Sequence, residues 1–292
     1  MEHKRSLGEH AFDASNAAIL VLLSFLTLYP FLYVVFASVS NPTEFIQHRG
    51  MLLWPKGFTL DAYNMVFKNP NILRSYANTL IYVVVGTSIN IFLTALGAYG
   101  LSRNNVMWKN FIMMFIVMTM FFDGGLIPRY LLVRNLGMVD TMWALIIPGA
   151  ISTWNLIVMR TAFQGVPVAL EESARIDGAN DWTILFRVVI PLSLPVIAVM
   201  VLFYGVAHWN AWFSAMIYLR SRDLFPLQLI LREILVLNDT SNMMVDVVGD
   251  RMPIGETIKY ATIVVATVPI LLLYPFLQKY FVKGVMIGAI KE

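Results

Sequence analysis

The sequence contains no cysteine, and only 13% of its 292 residues are charged. Without cysteine, the chain cannot form a disulfide scaffold or hold a metal through thiolates. A net charge of only +3, with no basic stripe, argues against a nucleic-acid partner, and the composition excludes a disordered chain. Hydrophobic residues instead make up 58% of the chain, against about 45–50% in soluble domains. This composition predicts an integral membrane protein.

Six apolar runs are long enough to cross the hydrocarbon layer as helices, which takes about 20 residues. The runs cover residues 17–39, 77–101, 111–128, 141–163, 192–219 and 260–281. Their length favours helices over barrel strands, which alternate over about ten residues. We therefore predict an all-α membrane protein with six transmembrane helices in residues 17–281, an N-terminal segment (1–16) and a tail (282–292). Prolines inside the runs predict kinks at Pro30, Pro148, Pro195 and Pro269.

Positive charge near the ends of the spans favours a cytoplasmic location for both termini. Short segments on the N-terminal side carry Lys4, Arg5, Arg103, Lys109, Lys279 and Lys283, whereas Arg129 and Arg134 compete on the other side. The first run is longer than a signal-peptide core and lacks a small-residue cleavage site, so we expect an uncleaved anchor. This orientation places the loop at residues 164–191 in the cytoplasm.

The 164–191 loop has the local signals of two short helices joined by a tight turn. Pro167 suits the first turn of a helix, and Gly178 suits a left-handed cap at its end. Asn180 or Asp181 can cap a second helix that ends at Ile190-Pro191. Its spacing predicts one apolar face, made of Trp182, Leu185, Phe186 and Val189. Two other amphipathic helices are predicted outside the spans, at 61–67 and 224–237.

Within this loop, a spaced motif resembles the Glu-Ala-Ala (EAA) loop of ABC-importer permeases. The motif runs Glu172-Ser173-Ala174, three residues, Gly178, nine residues and Val188-Val189-Ile190-Pro191. It departs from the family pattern only in residues of similar size, at Ser173, Val188 and Ile190. Further stretches resemble the MalG-like carbohydrate branch, and within it the LplC/YtcP type: residues 75–80, 98–103, 121–128 and 279–289.

The resemblance implies the type I importer permease fold in the bacterial inner membrane, and a loop that docks as a coupling helix on a cytoplasmic ATPase. The residues implied at that contact are Glu171, Glu172, Ser173, Ala174, Asp177, Gly178 and Pro191, and the implied tail contacts are Lys283, Gly284, Met286 and Gly288. The implied partners are a second homologous permease, two ATPases that bind ATP and Mg, and a solute-binding protein. The implied substrates are oligosaccharides or polysaccharide fragments, including acidic, uronate-containing chains.

Enzyme and metal signatures are missing from the sequence. There is no Gly-x4-Gly-Lys-Ser/Thr phosphate loop, so another subunit must supply energy from ATP. There is also no His-Glu-x-x-His or Gly-x-Ser-x-Gly protease motif, and the four histidines are scattered. We therefore expect no catalytic residue, no metal site and no cofactor in this chain.

A substrate pathway is predicted in the fifth span, where polar residues interrupt the apolar run. The candidates are His208, Trp209, Asn210 and Trp212. With Trp209 and Trp212 one helical turn apart, their rings would share a face and stack on sugar rings. The alternative is that these tryptophans only mark the outer membrane interface. Asn78, Asn90 and Asn155 are weaker candidates, because each amide can simply bond a neighbouring helix.

Two other classes of function stay open at this point. An ion-coupled secondary carrier would need an ionisable residue within the spans, and Asp123 at a span edge is the nearest acidic candidate. A receptor or assembly scaffold has only the surface helix predicted at 224–237 in its favour. Co-purification of a cytoplasmic ATPase would distinguish an importer from both.

Overall fold

A computed structural model describes residues 7–236, 255–272 and 275. This part of the chain consists of helices joined by loops. The described residues contain one isolated antiparallel bridge, between Ser40 and Phe58, and no longer strand. The predicted all-α class is confirmed. The chain divides into two compact units, residues 1–70 with 233–267 and residues 71–232 with 268–292.

The helices follow one another with short connections. Their bounds are α1 Leu7–Ser38, α2 Pro42–Gln47, α3 Asp61–Lys68, α4 Pro70–Ser102, α5 Lys109–Met118, α6 Leu126–Asn135, α7 Trp143–Ile146, α8 Thr153–Gln164, α9 Val168–Ile176, α10 Asp181–Ile184, α11 Ile190–Leu192, α12 Leu194–Trp209, α13 Trp212–Tyr218, α14 Leu227–Val236 and α15 Gly255–Leu272. Short 3₁₀ turns lie at Ile147–Gly149 and Arg222–Leu224, and a π-helical turn lies at Leu185–Val189.

Three of these helices are long and apolar enough to cross a membrane unaided: Gly8–Ser38, α4 and α15. Two bent pairs raise the number to five if each pair forms one span, with bends of 53° and 86°. The run predicted at 111–128 is interrupted, because α5 ends at Met118 and α6 begins only at Leu126 after Gly125, whose φ is +83°. Six spans and cytoplasmic termini therefore stay predictions.

The predicted kinks occur at two of the four prolines. Pro148 lies in the 3₁₀ turn at the 53° bend between α7 and α8. Pro195 lies in the first turn of α12, next to the 86° bend at Ser193. Proline has no N–H to donate, so a helix is easily interrupted beside it. Pro30 is inside the continuous helix α1, and Pro269 is inside α15.

In the first unit, the loop after α1 is fixed by hydrogen bonds and aromatic contacts. Ser38 Oγ is 2.8 Å from the Tyr63 hydroxyl of α3. Tyr260 packs edge-on against Tyr33 and Phe45, with ring centroids 5.8 and 5.5 Å apart. The amphipathic helix predicted at 61–67 is confirmed as α3, which buries Ala62 and Val66.

In the second unit, one apolar core joins α4, α8 and the region around α10–α12. Its buried residues are Ala95, Ala98, Tyr99, Leu156, Met159, Phe163, Val166, Ile184, Leu185, Val189, Met200 and Tyr204. Four of these belong to the 164–191 loop: Val166, Ile184, Leu185 and Val189. The loop is therefore part of the core and not a pendant connection.

Candidate functional site

The turn in the 164–191 loop has the geometry that its glycine predicts. Gly178 has φ +83°, in the left-handed region that favours glycine. Its N–H donates to the Arg175 carbonyl at 3.0 Å, and the Ala179 N–H donates to the Ala174 carbonyl at 2.9 Å. This pair of bonds is a Schellman motif, which ends α9 and reverses the chain. The predicted cap is confirmed.

The second helix of the loop begins as predicted but buries a different face. The Asn180 side chain caps it, accepting a bond from the Thr183 N–H at 2.8 Å. Leu185 and Val189 are buried, as predicted. Trp182 and Phe186 are exposed, and their rings lie parallel at 6.1 Å, so only two of the four residues of the predicted apolar face are buried. The π-helical turn at 185–189 shifts the register of the helix, which the 3.6-residue spacing did not include.

A largely buried ion pair fixes α9 to the end of α4. Arg103, directly after α4, pairs with Glu171, and their side chains are 13% and 7% exposed. The same guanidinium donates to the Phe163 carbonyl at 3.0 Å and lies over the Tyr99 ring at 4.9 Å. Burial lowers the pKa of Arg103, although a guanidinium stays charged at neutral pH.

The motif glutamates therefore have different surroundings. Glu171 faces the bundle, whereas Glu172 is exposed together with Ser173, Asp177 and Ile176. The exposed face of α9 thus contains residues of the EAA motif. A cleft of about 370 Å³ lies beside it, between the 102–105 turn and α9, lined by both glutamates, Arg103 and Arg175. Pro191, the last motif residue, is also exposed.

A second polar cluster lies within the helices, around Asn90 of α4. The Asn90 amide N–H donates to the Gly149 carbonyl at 2.9 Å, and its Oδ1 is 2.9 Å from His208 Nε2. The Tyr204 hydroxyl bonds Thr94 Oγ1 at 2.7 Å and accepts the Ser152 N–H at 3.1 Å. These bonds satisfy backbone groups that the break between α7 and α8 leaves free.

The structure separates the residues predicted for a substrate pathway. His208 is buried and lines a cavity of about 370 Å³. Trp209 is buried beside Tyr76 and lines a different, apolar cavity. Trp212 belongs to another helix and lies under Arg232, at 5.2 Å. The two tryptophans do not share a helical face, because α12 ends at Trp209 and α13 begins at Trp212.

The remaining candidates fall in different places. Asn210 is exposed and bonds its own helix through the Val206 carbonyl at 3.0 Å. Asn78 donates to the carbonyls of Asp223 and Phe225. Asn155 lines the same cavity as His208, together with Tyr204, which was not among the predicted residues. Tyr204 carries no polar signal within an apolar run, so only the fold identifies it.

The predicted tail contacts and the expected absence of a metal site concern the rest of the chain. The tail candidates Lys283, Gly284, Met286 and Gly288 lie outside the described residues. Within 7–236, 255–272 and 275, no group of three or more histidine or acidic residues is arranged to hold a metal ion.

Known proteins resemble this chain over almost its whole length. Residues 79–287, which include the 164–191 loop and Asn90, match the family described as binding-protein-dependent transport system inner membrane component. The chain is 43% identical over 289 residues to protein LplC of Bacillus subtilis (strain 168), covering 99% of this chain and 97% of that protein. It is 42% identical over 281 residues to the polygalacturonan/rhamnogalacturonan transport system permease protein YtcP of the same strain, covering 96% and 98%.

A solved structure shows the same similarity in three dimensions. It is the crystal structure of a bacterial ABC transporter involved in the import of the acidic polysaccharide alginate. One of its chains matches with a TM-score of 0.87 and 32% identity, covering 96% of this chain and 99% of that chain. The fold described above is therefore that of an ABC importer permease.

Proposed function

Because the chain belongs to the family of inner membrane components of binding-protein-dependent transport systems, we propose that it is the permease subunit through which an ABC importer moves oligosaccharides or polysaccharide fragments. The polygalacturonan/rhamnogalacturonan permease YtcP and the alginate importer are both similar to it over more than nine tenths of its length, and both names describe acidic polysaccharides. These similarities support uronate-containing chains as the substrate class.

The observation that carries the mechanism is the attachment of the 164–191 loop to the core. Ile184, Leu185 and Val189 are buried with α4 and α8, and Glu171 is ion-paired with Arg103. A loop held in this way moves with the helices as one body. Its exposed motif face then transmits force between an ATPase and the spans. Coupling of this kind requires that the face bind the ATPase differently in the two transport states, because equal affinity shifts no equilibrium.

The proposed assembly contains four further components. A second, homologous permease completes the pathway, and a solute-binding protein delivers the substrate from outside. Two cytoplasmic ATPase subunits bind ATP and Mg and hydrolyse the nucleotide, so this chain itself is not catalytic. The sequence of this chain has no phosphate loop, which agrees with the binding of ATP by other subunits. With both termini in the cytoplasm, residues 164–191 are cytoplasmic as well.

The test reverses a charge on the exposed motif face. We expect Glu172→Lys to abolish ATP-dependent uptake of a galacturonate trisaccharide into proteoliposomes that contain the whole complex and its binding protein. Lys68→Glu is the matched control. Lys68 is also exposed, and its replacement changes the charge by the same amount. In the predicted topology it lies on the opposite side of the membrane from the 164–191 loop. Full uptake and binding-protein-stimulated ATP hydrolysis in the Glu172→Lys complex would refute coupling through this loop.

A further inference from the structure

The cavity beside His208 is formed where two helices are interrupted. Gly149 and Ser152 come from the break between α7 and α8, and Ala211 comes from the break between α12 and α13. Non-helical backbone at membrane depth is tolerated only where it is buried in protein or lines a polar space. Asn90, near the middle of the long helix α4, lines the same cavity. Both breaks therefore open onto one polar cavity, which is accessible from outside the chain because its lining residues Gly149, Phe203 and Ala207 are exposed.

Asn155 is the unusual residue of this cavity. It lies in the first turn of α8 and is only 6% exposed, yet no group in the described part of the chain bonds its carboxamide. No protein group takes up the donors and acceptor of this amide, so they are available to whatever occupies the cavity, water or a ligand. Its neighbour Asn90 shows the contrast, because both ends of that amide are bonded within the chain.

His208 adds a second free group to the cavity. The Asn90 amide N–H donates to Gly149, so its Oδ1 faces His208 and the Nε2–H is the donor between them. In the neutral ring, Nδ1 is then an acceptor, and no described residue bonds it. Ser152 and Ser214 contribute hydroxyls, and Phe203 contributes an apolar ring. Donors, acceptors and aromatic rings therefore surround the space.

We propose that this cavity binds one sugar ring of the transported chain, with the Asn155 carboxamide bonding ring hydroxyls. This inference rests on the proposed function and adds that this subunit itself holds substrate. Sugar hydroxyls both donate and accept, which suits an amide with both groups free. Among the described residues, the lining contains no Lys, Arg, Asp or Glu, so the cavity contacts hydroxyls and leaves a uronate carboxylate to be bound elsewhere. Its volume of about 370 Å³ is at the low end for ligand pockets, which suits a single ring.

The absence of cysteine from the sequence gives a direct test of this site. In the assembled complex, Ala207→Cys introduces the only thiol of this chain at the cavity wall and leaves Asn155 intact. We expect a small, charged methanethiosulfonate reagent to modify it, and galacturonate trisaccharide to slow the reaction. Asn135→Cys is the control, because Asn135 is exposed at the end of α6 and outside the cavity lining; its reaction should not change with the trisaccharide. A thiol in the Ala207→Cys complex that does not react, or that the sugar does not protect, would overturn the proposal.

A second variant tests the role of Asn155 and separates it from folding. In the Ala207→Cys background, Asn155→Leu should raise the protecting concentration of trisaccharide roughly tenfold, as expected for the loss of a ligand hydrogen bond. It should not lower the thermal unfolding temperature, because it removes an amide that no protein group bonds. Asn90→Leu should lower that temperature, because it breaks two bonds. If Asn155→Leu leaves the protection of the thiol by the trisaccharide unchanged, or lowers the unfolding temperature as much as Asn90→Leu does, Asn155 is a structural residue and does not bind the sugar.

This design keeps the two proposals apart. If the wild-type complex shows no ATP-dependent uptake of the trisaccharide, the proposed function fails for that substrate. If uptake is present but the thiol introduced by Ala207→Cys is not protected, the function stands and the cavity in this subunit is excluded as a sugar site.

Discussion

The side chains of Arg103 and Glu171 form an ion pair between the end of α4 and the loop helix α9, and both are largely buried. The two residues are far apart in sequence, so this contact fixes the loop to a helix that is not its neighbour along the chain. Glu172, one position later, remains exposed. Two adjacent acidic residues therefore have different surroundings, one paired within the chain and one exposed.

Breaking this ion pair from one side should destabilise the protein. Glu171→Gln leaves the Arg103 guanidinium buried without its counter-charge, which typically costs about 3–5 kcal/mol. We expect a clearly lower unfolding temperature, followed through the fluorescence of the seven tryptophans. Glu172→Gln, on the exposed side of the same helix, should leave that temperature unchanged. The double variant Arg103→Met/Glu171→Leu should recover most of the stability, because it removes both charges together. Equal temperatures for the Glu171 and Glu172 variants would contradict this account of the pair.

The turn at Gly178 should tolerate asparagine better than alanine. At φ +83°, an alanine side chain costs roughly 1–2 kcal/mol, whereas asparagine adopts this region more readily. There is open space around the position, so the cost comes from the backbone alone. We therefore expect Gly178→Ala to weaken ATP-dependent uptake more than Gly178→Asn does. If the two variants behave alike in uptake and in thermal unfolding, the left-handed conformation is not what the turn requires.

The helix–turn–helix of the loop was predictable because its signals are local. Gly178 and Asn180 act on backbone groups within five residues, and their caps are present as expected. The family was also predictable, since the EAA spacing lies within one loop. The exposed pair Trp182 and Phe186 was not predictable, because a π-helical turn changes the spacing on which the pattern depends.

The interior of the site depends on contacts that no local pattern contains. Asn90 meets His208 across 118 positions, and Tyr204 meets Ser152 across 52. The sequence did place polar residues in the right spans, but it could not distinguish Asn155, whose amide is free, from Asn78, whose amide is bonded. The interruption of α12 at Asn210 also removed the shared face that Trp209 and Trp212 would have on a continuous helix.

The close approach of Gly86 and His208 gives a prediction for the polar cluster. A Cβ at Gly86 would lie 2.5 Å from His208 Nε2, the atom that bonds Asn90. Gly86→Ala should therefore displace the imidazole and lower stability by about 1–3 kcal/mol, the usual cost of overpacking a core. Gly100→Ala is the matched control on the same helix, because nothing lies within 4 Å of the added carbon. Its stability should stay equal or rise by up to about 1 kcal/mol. A loss with Gly100→Ala as large as with Gly86→Ala would point to the helix backbone and away from His208.

A carboxylate outside the spans should make one loop contact sensitive to acid. Asp140 accepts bonds from the Ser221 hydroxyl at 2.5 Å, the Ser221 N–H at 2.8 Å and the Arg220 N–H at 2.9 Å. These bonds, that from the Ser221 hydroxyl first, lower the pKa of Asp140. A lowered pKa in the folded state means that the stabilisation is complete above the pKa of an unfolded aspartate, about 3.9, and is lost as the pH falls through the folded value.

The two backbone amides that face Asp140 give the measurement. We expect the hydrogen-exchange protection factors of Arg220 and Ser221 to be constant from pH 7 to about pH 4 and to fall below it, as the carboxylate gains a proton. Asp140→Asn keeps an oxygen that can accept these bonds but does not titrate. Its protection should be lower at neutral pH, because a neutral acceptor is weaker, and should not change with pH. Protection that falls equally in both proteins would assign the acid sensitivity to another group, and constant protection in the wild type would show that these bonds do not depend on the charge of Asp140.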